Sequence, residues 1–241
     1  MTTLRIGVVI PALNEEEGIG LVLRALTALP RTIERIVVID NGSSDRTAEL
    51  AAMHGAVVLF EPERGYGAAC QKGLQYLATT CGMSGSRDVV AFLDADFSDY
   101  PEDLELLLAP IASGEADFVI GSRVRLAESR AAVPLPSRVG NWLATRYIRA
   151  VYGIAWTDLG PFRALTFSAL RTLQMCDRTW GWTVEMQLKA AQHKIPTREV
   201  AVRYRPRPHG RSKISGSIPG ACRAGAKISL LLLKDVLRRK H

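Results

Sequence analysis

Short runs of apolar and β-branched residues alternate with longer segments of helical periodicity through the first half of the chain. The short runs are apolar at successive positions, which is typical of strands covered by helices on both faces. Strands are predicted at 5–10, 35–39, 56–60, 89–93 and 118–120. Helices are predicted between them at 16–28, 45–54, 66–78 and 101–112. This alternation predicts an α/β fold with a doubly wound, mostly parallel sheet flanked by helices.

The alternation loosens after Gly121, where a polar, Pro-containing stretch covers 123–137. Beyond that stretch the periodicity changes from one segment to the next. It predicts helices at 138–152, 182–192 and 217–240 and a last strand at 198–204. The segment 217–240 has a basic polar face and predicts an amphipathic helix.

We interpret 1–216 as one domain and 217–241 as a separate, basic amphipathic C-terminal helix. Within the domain, 1–121 forms a first ligand-binding half, and 122–216 forms a second half that includes a lid. A chain of 241 residues with 47% hydrophobic residues is long enough to bury a full core.

Four scattered cysteines and the N-terminal run predict the compartment. Cys70, Cys81, Cys176 and Cys222 contain no CxxC pair, so neither a disulfide framework nor a zinc knuckle is expected. A reducing cytosol is the simpler interpretation. Met1 leads directly into a strand-like run, which predicts no signal peptide.

The net charge of +7 is concentrated at the C-terminal end. Residues 198–241 hold 12 Lys or Arg and 2 acidic residues, whereas the first 197 residues hold 19 basic and 22 acidic ones. Such a basic end predicts an anionic partner, either a membrane or a phosphorylated small molecule, unless it is simply solvated. Nucleic acid is not expected, because the positive charge is confined to the tail and no nucleic-acid-binding motif is present.

The C-terminal helix is too short and too charged to span a bilayer, since a span needs about 20 apolar residues. Three interpretations of it remain open. The helix docks at a membrane surface, packs on the body of the protein, or packs on a twin subunit in a homodimer.

Polar loops follow the predicted strands where the sheet has its ligand-binding edge. The loops at 11–16, 40–45, 64–69 and 121–123 all follow strand ends. Gly42 permits a sharp turn, and the Gly-rich turn around Gly67 opens a helix whose first amides favour anions.

The sharpest local signal is the Asp-x-Asp pattern of Asp94 and Asp96, which directly follows a buried strand. Two carboxylates one residue apart at a strand end can reach one hard divalent cation, Mg²⁺ or Mn²⁺, from the same side. The alternative is an Asx-type turn with solvated acids.

Eight motifs together resemble one family. They are PALNEE at 11–16, VIDNGSSDRT at 38–47, RGYGAACQKGL at 64–74, LDADFSDYPED at 93–103, GSR at 121–123, DLGPFRAL at 158–165, GWTVEMQLKA at 181–190 and HGRSKIS at 209–215. In this order, and over nearly the whole chain, they resemble a family 2 glycosyltransferase with the GT-A, Rossmann-like nucleotide-binding fold. The resemblance is greatest to the dolichyl- and polyprenyl-phosphate mannose or glucose synthases.

The resemblance implies an inverting transfer from a UDP- or GDP-hexose, with 1–121 as the nucleotide-sugar half. The residues implied to bind the donor are Pro11, Ala12, Asn14, Glu15, Asp40, Gly42, Gly67, Asp94, Ala95 and Asp96. Asp94 and Asp96 are also the implied metal ligands, for Mg²⁺ or Mn²⁺. The residues implied to take part in catalysis are Asp96, Asp158, Glu185 and Arg123.

The acceptor decides which side chains the chemistry needs. A lipid phosphate is already anionic and would be held by Arg123, Arg138, Arg163, Arg211 and Lys213. A hydroxyl acceptor would instead need a general base, for which Asp158 is the first candidate and Glu185 the second. Asp158 could equally brace the turn that follows it, and Glu185 could be an ordinary helix acid.

Two departures from the polyprenyl-phosphate branch follow the Asp-x-Asp pattern. Ser98 stands where that branch often has a Gln that helps the metal, and 99–102 reads Asp-Tyr-Pro-Glu in place of His-Pro-Pro-Glu. Asp99 or water could replace the Gln. We expect a cytoplasmic enzyme, peripheral at the inner face of the membrane, with a polyprenyl-phosphate acceptor. A hydroxyl acceptor is the alternative, and a degenerate nucleotide-sugar-binding protein is the non-enzymatic one.

Overall fold

A seven-stranded sheet in the order β3-β2-β1-β4-β6-β5-β7 lies at the centre of the computed structural model, which describes residues 4–208 and 218–238. Its strands are β1 Arg5–Ala12, β2 Arg35–Asp40, β3 Val57–Phe60, β4 Asp88–Phe92, β5 Phe118–Ser122, β6 Arg163–Thr166 and β7 Thr197–Ala201. The helices are α1 Glu16–Thr27, α2 Thr47–Met53, α3 Tyr66–Thr79, α4 Leu104–Ala112, α5 Ala127–Ala132, α6 Leu135–Tyr152, α7 Phe167–Leu173, α8 Trp182–Gln192 and α9 Ile218–Arg238.

Only β6 runs against its neighbours in this sheet. It pairs antiparallel with β4 and with β5, whereas the pairs β1–β2, β1–β4, β2–β3 and β5–β7 are parallel. The predicted α/β fold with a mostly parallel mixed sheet is therefore confirmed. Because β6 is reversed, the chain enters it at the edge where its neighbours end, and this brings residues 158–162 to the predicted ligand-binding edge.

Two apolar clusters cover the two faces of the sheet. Alternate β1 residues contribute to each: Val9 to the cluster that includes Phe92 and Trp182, and Val8 to the one that includes Leu23. The Phe92 and Trp182 rings meet edge to face with centroids 6.1 Å apart. Period-two alternation on a sheet buried on both sides explains why the strands read as unbroken apolar runs.

Sequence periodicity missed β6 and α7. The strand β6 is only four residues long and begins with a buried charge, Arg163, so that it lacks an apolar run. The stretch 123–137, expected to be irregular, contains α5 and the start of α6. Pro136 is tolerated there because the first turn of a helix does not use its amide.

The C-terminal helix α9 packs on the body of the protein through a buried acid. Asp235 accepts hydrogen bonds from the hydroxyls of Tyr147 at 2.6 Å and Tyr152 at 2.7 Å, both on α6, and from Gln192 on α8. Lys227 pairs with Asp177 at 2.7 Å. One face of α9 is thus held against the domain. Among the described helices, none is long and apolar enough to cross a membrane.

Candidate active site

A cavity of about 770 Å³ lies at the carboxyl edge of the sheet. One end is polar and is lined by Glu15, Asp94, Asp96 and Arg123, which follow β1, β4 and β5. The other end is apolar and is lined by side chains from α6, α9 and the loop before α8. The large apolar side chains at this end include Leu135, Val139, Leu143, Trp180 and Ile228. The strand-end prediction therefore located the cavity.

Asp94 and Asp96 lie together in the polar end. Asp96 is buried, and its Oδ1 accepts the amide of Ser98 at 2.9 Å, so that an Asx-type turn fixes this carboxylate. Removal from water and the charge of Asp96 raise the pKa of Asp94 from its ordinary 3.8 to about 7. The turn and the acidic pair coexist, and the turn orients one member of the pair.

Arg207, which belongs to the basic segment predicted to act as a lid, joins this pair. Its Nη2 lies 2.7 Å from Oδ2 of Asp96, and its Nη1 donates to both carboxylate oxygens of Glu15 at 2.8 and 3.0 Å. The guanidinium thus links the loop after β1 to the loop after β4. Its only sequence signal was the basic run from 203 to 207.

The donor chemistry of Asp94 and Asp96 fits a hard divalent cation. Carboxylate oxygens suit Mg²⁺ and Mn²⁺, which usually complete their coordination with phosphate oxygens and water. Burial and the charge of Asp96 raise the pKa of Asp94. A bound cation would offset the repulsion between the two carboxylates. In the described residues, no group of three or more His, Cys, Asp or Glu side chains is placed to hold a metal ion.

Substituting Gly18 with Ala is expected to lower the activity of this site by about tenfold, because a small displacement of reacting groups has large kinetic effects. Gly18 on α1 packs directly under the Asp94–Asp96 loop. A Cβ there would lie 2.6 Å from the carbonyl oxygen of Ala95 and 3.0 Å from the Cα of Asp96. The measurement is kcat together with Tm. Gly85→Ala is the control, because its Cβ would meet no atom closer than 3.5 Å. An unchanged kcat in Gly18→Ala would show that this contact does not set the loop position.

Asn14, Asp40 and Gly42 shape the wall of the site rather than lining the cavity. Asn14 accepts the amide of Ser44 at 2.8 Å, and Asp40 accepts the amide of Ser43 at 2.9 Å. Gly42 has a positive φ of 85°. The Asn14–Ser44 bond ties the loop after β1 to the loop after β2, and the Asp40–Ser43 bond stays within the latter. Pro11, Ala12 and Ala95, also predicted to bind donor, line the cavity itself.

The Gly-rich turn before α3 does not offer its amides to an anion. The amide of Gly67 donates to the carbonyl of Thr179 at 3.2 Å, and that of Ala68 donates to Arg178 at 2.8 Å. A Cβ at Gly67 would lie 2.0 Å from the carbonyl oxygen of Asp177. Glycine is needed here because the 177–179 backbone packs against the helix start, and this packing argues against the predicted donor contact of Gly67.

Asp158 and Arg123 form a buried ion pair, in which Arg123 lines the cavity and Asp158 does not. Arg123 Nε and Nη2 donate to the two carboxylate oxygens at 2.8 and 2.9 Å, and the Arg123 amide adds a third bond at 2.9 Å. Asn141 on α6 and the amide of Leu159 donate to the same carboxylate. Burial alone would raise the pKa of Asp158, but the charge and hydrogen bonds of Arg123 lower it overall.

This geometry favours a positioning role for Asp158 over that of a general base. The carboxylate is 0% exposed and its oxygens already accept five hydrogen bonds. A base must reach the proton that it removes. Asp158 instead holds Arg123, which lines the cavity. The bracing alternative raised from the sequence agrees with these contacts.

Glu185 and Arg163 are likewise buried, and their charged groups bond to other parts of the protein. Glu185 accepts the amides of Cys176 and Asp177 and pairs with Lys189 at 2.9 Å. Arg163 is 0% exposed, and its guanidinium donates to carbonyls of the 159–160 turn and of α8. Burial lowers the pKa of Arg163 to about 10. Neither side chain lines the cavity, which argues against the predicted catalytic and phosphate contacts.

The remaining predicted residues divide by exposure. Ser98 lines the cavity, whereas Asp99 is buried, and burial together with the charge of Asp94 raises its pKa. Arg138 is exposed on α6. Arg211 and Lys213 lie outside the described residues. Trp180 lines the cavity, while Trp182 belongs to the core.

Comparison with known proteins agrees with the fold and places the chain in a family. A model of glycosyl transferase family 2 matches residues 7–174. A Mycobacterium tuberculosis protein described as a glycosyltransferase is 37% identical over 214 residues, 89% of this chain and 91% of the relative. The undecaprenyl-phosphate mannosyltransferase of Micrococcus luteus is 29% identical over 228 residues, 90% of each chain.

Solved structures show the same fold. Glucosyl-3-phosphoglycerate synthase from Mycobacterium tuberculosis, crystallised with Mn²⁺, UDP and glucosyl-3-phosphoglycerate, superposes with a TM-score of 0.73 at 20% identity. The match covers 96% of this chain and 80% of that one. The motifs, the sheet and the matched model agree, and the chain belongs to glycosyl transferase family 2, with the GT-A fold.

Proposed function

We propose that this glycosyltransferase moves a hexose from UDP- or GDP-hexose to a polyprenyl phosphate, with inversion at the sugar. The observation that carries the proposal is the two-part lining of one cavity. An acidic end suited to a metal-bound diphosphate adjoins an apolar end suited to a prenyl chain. An acceptor with an anionic head and a hydrocarbon tail fits that combination better than a soluble sugar does.

The polar end would hold the donor. Asp94 and Asp96 are the residues that would bind Mg²⁺ or Mn²⁺, and the bound ion would neutralise charge that develops on the leaving diphosphate. Pro11, Ala12 and Glu15 line the adjoining wall, which we assign to the nucleoside. Arg207 lies within reach of the same diphosphate through its contact with Asp96.

The burial and hydrogen bonds of the two candidate bases favour a phosphate acceptor. Asp158 and Glu185 are both buried and hydrogen-bonded within the protein. A phosphate acceptor is already a nucleophilic anion and needs no group to remove a proton, whereas a hydroxyl acceptor does. Arg123 is the cation that we expect to orient the acceptor phosphate, because guanidinium pairs well with phosphate oxygens.

The relatives support the same acceptor class. The Micrococcus luteus relative is an undecaprenyl-phosphate mannosyltransferase, and a Mycolicibacterium smegmatis relative, 29% identical over 230 residues, is a polyprenol monophosphomannose synthase. We extend that acceptor class to this chain. With it we propose a peripheral position at the cytoplasmic face of a membrane.

Purified protein incubated with labelled UDP- or GDP-hexose and polyprenyl phosphate is expected to move label into the organic phase. Chelation by EDTA should abolish transfer, and added Mg²⁺ or Mn²⁺ should restore it. Polyprenol of the same chain length, which lacks the phosphate, is the matched control and should receive no label. Efficient transfer to polyprenol would contradict a phosphate acceptor and favour a hydroxyl one. Donor binding without any turnover would favour a nucleotide-sugar-binding protein.

A further inference from the structure

The first half of α6 exposes a stripe of large apolar side chains. Leu135, Val139, Trp142 and Leu143 are 69%, 60%, 59% and 42% exposed. Their spacing of three to four residues places them on one side of the helix, opposite Ala144 and Ile148, which are buried in the core. We call this stripe the α6 face. A contiguous exposed apolar surface of this kind marks an interaction site more often than a solvated one.

The charge around the α6 face has one sign. Helix α6 contains Arg138, Arg146 and Arg149, all exposed, and no acidic residue. The guanidinium of Arg146 lies 5.5 Å from the centre of the Trp142 ring. An aromatic ring flanked by arginines is the side-chain set found where a helix meets the headgroup region of a bilayer.

Helix α9, the neighbour of α6, also exposes apolar side chains. It packs beside α6, and a Cβ at Gly140 would lie 3.2 Å from Ile228. The side of α9 away from the core exposes Leu230, Leu233 and Leu237 by about half of their surface. Two adjacent helices thus present apolar side chains, while the one described acid of α9, Asp235, is buried.

The α6 face is continuous with the candidate active site. Leu135, Val139 and Leu143 are exposed and also form part of the apolar end of the cavity. A hydrocarbon chain that left a bilayer at this face would enter the cavity without crossing water. Trp142 belongs to the face but does not line the cavity.

We propose that the α6 face docks on an anionic lipid bilayer, with α9 as its second contact, so that the active-site cavity opens towards the membrane. Apolar side chains would enter the headgroup region while the arginines meet lipid phosphates. A second copy of the chain fits less well, because a two-fold contact would place the same three arginines against one another. The proposal deepens the proposed function by locating its acceptor, but membrane binding is measured without donor or acceptor.

Co-flotation of the full-length protein with vesicles tests the docking. We expect the protein to float with phosphatidylcholine vesicles that contain phosphatidylglycerol, and much less with phosphatidylcholine alone. Trp142→Ser should lower the partition coefficient by about tenfold, through loss of apolar burial. Arg146→Gln with Arg149→Gln should lower it by a similar factor on anionic vesicles only, since each basic residue near the surface contributes a few-fold.

Matched controls lie elsewhere on the surface. Met53→Ser and Phe60→Ser remove equally exposed apolar side chains, 71% and 61%, on α2 and β3. Arg35→Gln removes an exposed arginine from the opposite edge of the sheet. All three should float like wild type. Intrinsic fluorescence adds a second measurement, because Trp142→Phe should reduce the blue shift that vesicles cause, leaving the part contributed by Trp180.

Three outcomes would overturn the proposal. They are equal flotation of Trp142→Ser and wild type, equal binding to neutral and anionic vesicles, and a wild-type dimer in solution that Trp142→Ser dissociates. None of these outcomes would contradict the proposed function. That function is tested separately, by transfer to a short-chain prenyl phosphate in detergent-free buffer. Conversely, flotation without any transfer would leave the docking surface standing and remove the proposed acceptor.

Discussion

Asp96→Asn is expected to reduce hexose transfer by at least a hundredfold while leaving the protein folded. Loss of one group that stabilises leaving-group charge typically costs a factor of about 10²–10³. Asp96 carries a carboxylate that is buried, held by the Ser98 amide and paired with Arg207. Asparagine keeps the size and the amide contact but removes the charge. The loss should therefore appear in kcat and in metal-dependent donor binding together.

Titration calorimetry with UDP and GDP, with and without Mn²⁺, separates these effects. Wild type should bind the nucleotide much more tightly when metal is present, and Asp96→Asn should bind it equally with and without metal. Asp117→Asn is the control, because this acid precedes β5 at the opposite edge of the same sheet. Metal-dependent binding retained in Asp96→Asn would remove this residue from the metal site.

Asp94→Asn should abolish activity in the same way but stabilise the metal-free protein at alkaline pH. The pKa of Asp94 is about 7 in the folded chain against an ordinary 3.8, so the folded state disfavours the charged form. The stability that this group provides is fully present below about pH 3.8 and is lost as the pH rises through about 7. Asparagine cannot ionise, so its gain appears at pH 8 and vanishes near pH 4. Because Asp94 is only partly buried and lines the cavity, we expect a discounted gain of about 1–2 kcal/mol in urea unfolding. A variant less stable than wild type at pH 8 would contradict the burial of this charge.

Asp158→Asn is the second large effect, and it acts mainly on stability. Removing one partner of a buried ion pair leaves the other charge unpaired and costs about 3–5 kcal/mol. Here the unpaired group would be Arg123, which is buried and bonded to both Asp158 oxygens. The double variant Arg123→Met with Asp158→Asn should recover part of the lost unfolding free energy but no activity, since the cation that we propose to orient the acceptor phosphate is then gone.

The pH dependence distinguishes positioning from base catalysis. Because the pKa of Asp158 is lowered by Arg123, the stability from this pair is present at all pH values above 3.8 and is lost only as the pH falls through the lowered pKa. The cost of Asp158→Asn should therefore be constant from pH 5 to pH 9. A positioning residue leaves the shape of the kcat/KM profile unchanged in any residual activity. Loss of an acidic limb from that profile would instead support the general base.

The position of the cavity could be predicted from the sequence, because polar residues mark where each apolar parallel strand ends. An apolar run followed by Asp94 and Asp96, or by Asn14 and Glu15, identifies both the strand and its ligand-binding edge. The sequence pattern does not show, however, which groups these side chains and amides contact. Gly67 carried the same glycine signal as an anion-binding turn, and only the packed 177–179 backbone shows that its amide is taken.

Contacts between residues far apart in the sequence explain the other differences between the predicted site and the structure. Arg207 and Glu15 meet across 192 positions of sequence, and no local pattern connects them. Arg163 reads as a surface cation until β6 is placed in the middle of the sheet, where its charge must be satisfied by carbonyls. The acidic and basic residues that sequence analysis gathers into one site thus divide into those that face the cavity and those that hold its walls.

The reversal of β6 also has an evolutionary consequence. Because β5 and β6 are adjacent and antiparallel, residues 123–162 form one long connection between the two strands of a β-hairpin. The Arg123–Asp158 ion pair joins the beginning of this connection to a point near its end. Such a loop can lengthen, shorten or exchange its helices without shifting the register of any strand, since both of its ends are pinned at one edge. The residues that we propose to bind the donor lie at the ends of strands whose register is fixed. The segment that we propose to contact the acceptor can therefore change in length and helix content without disturbing them.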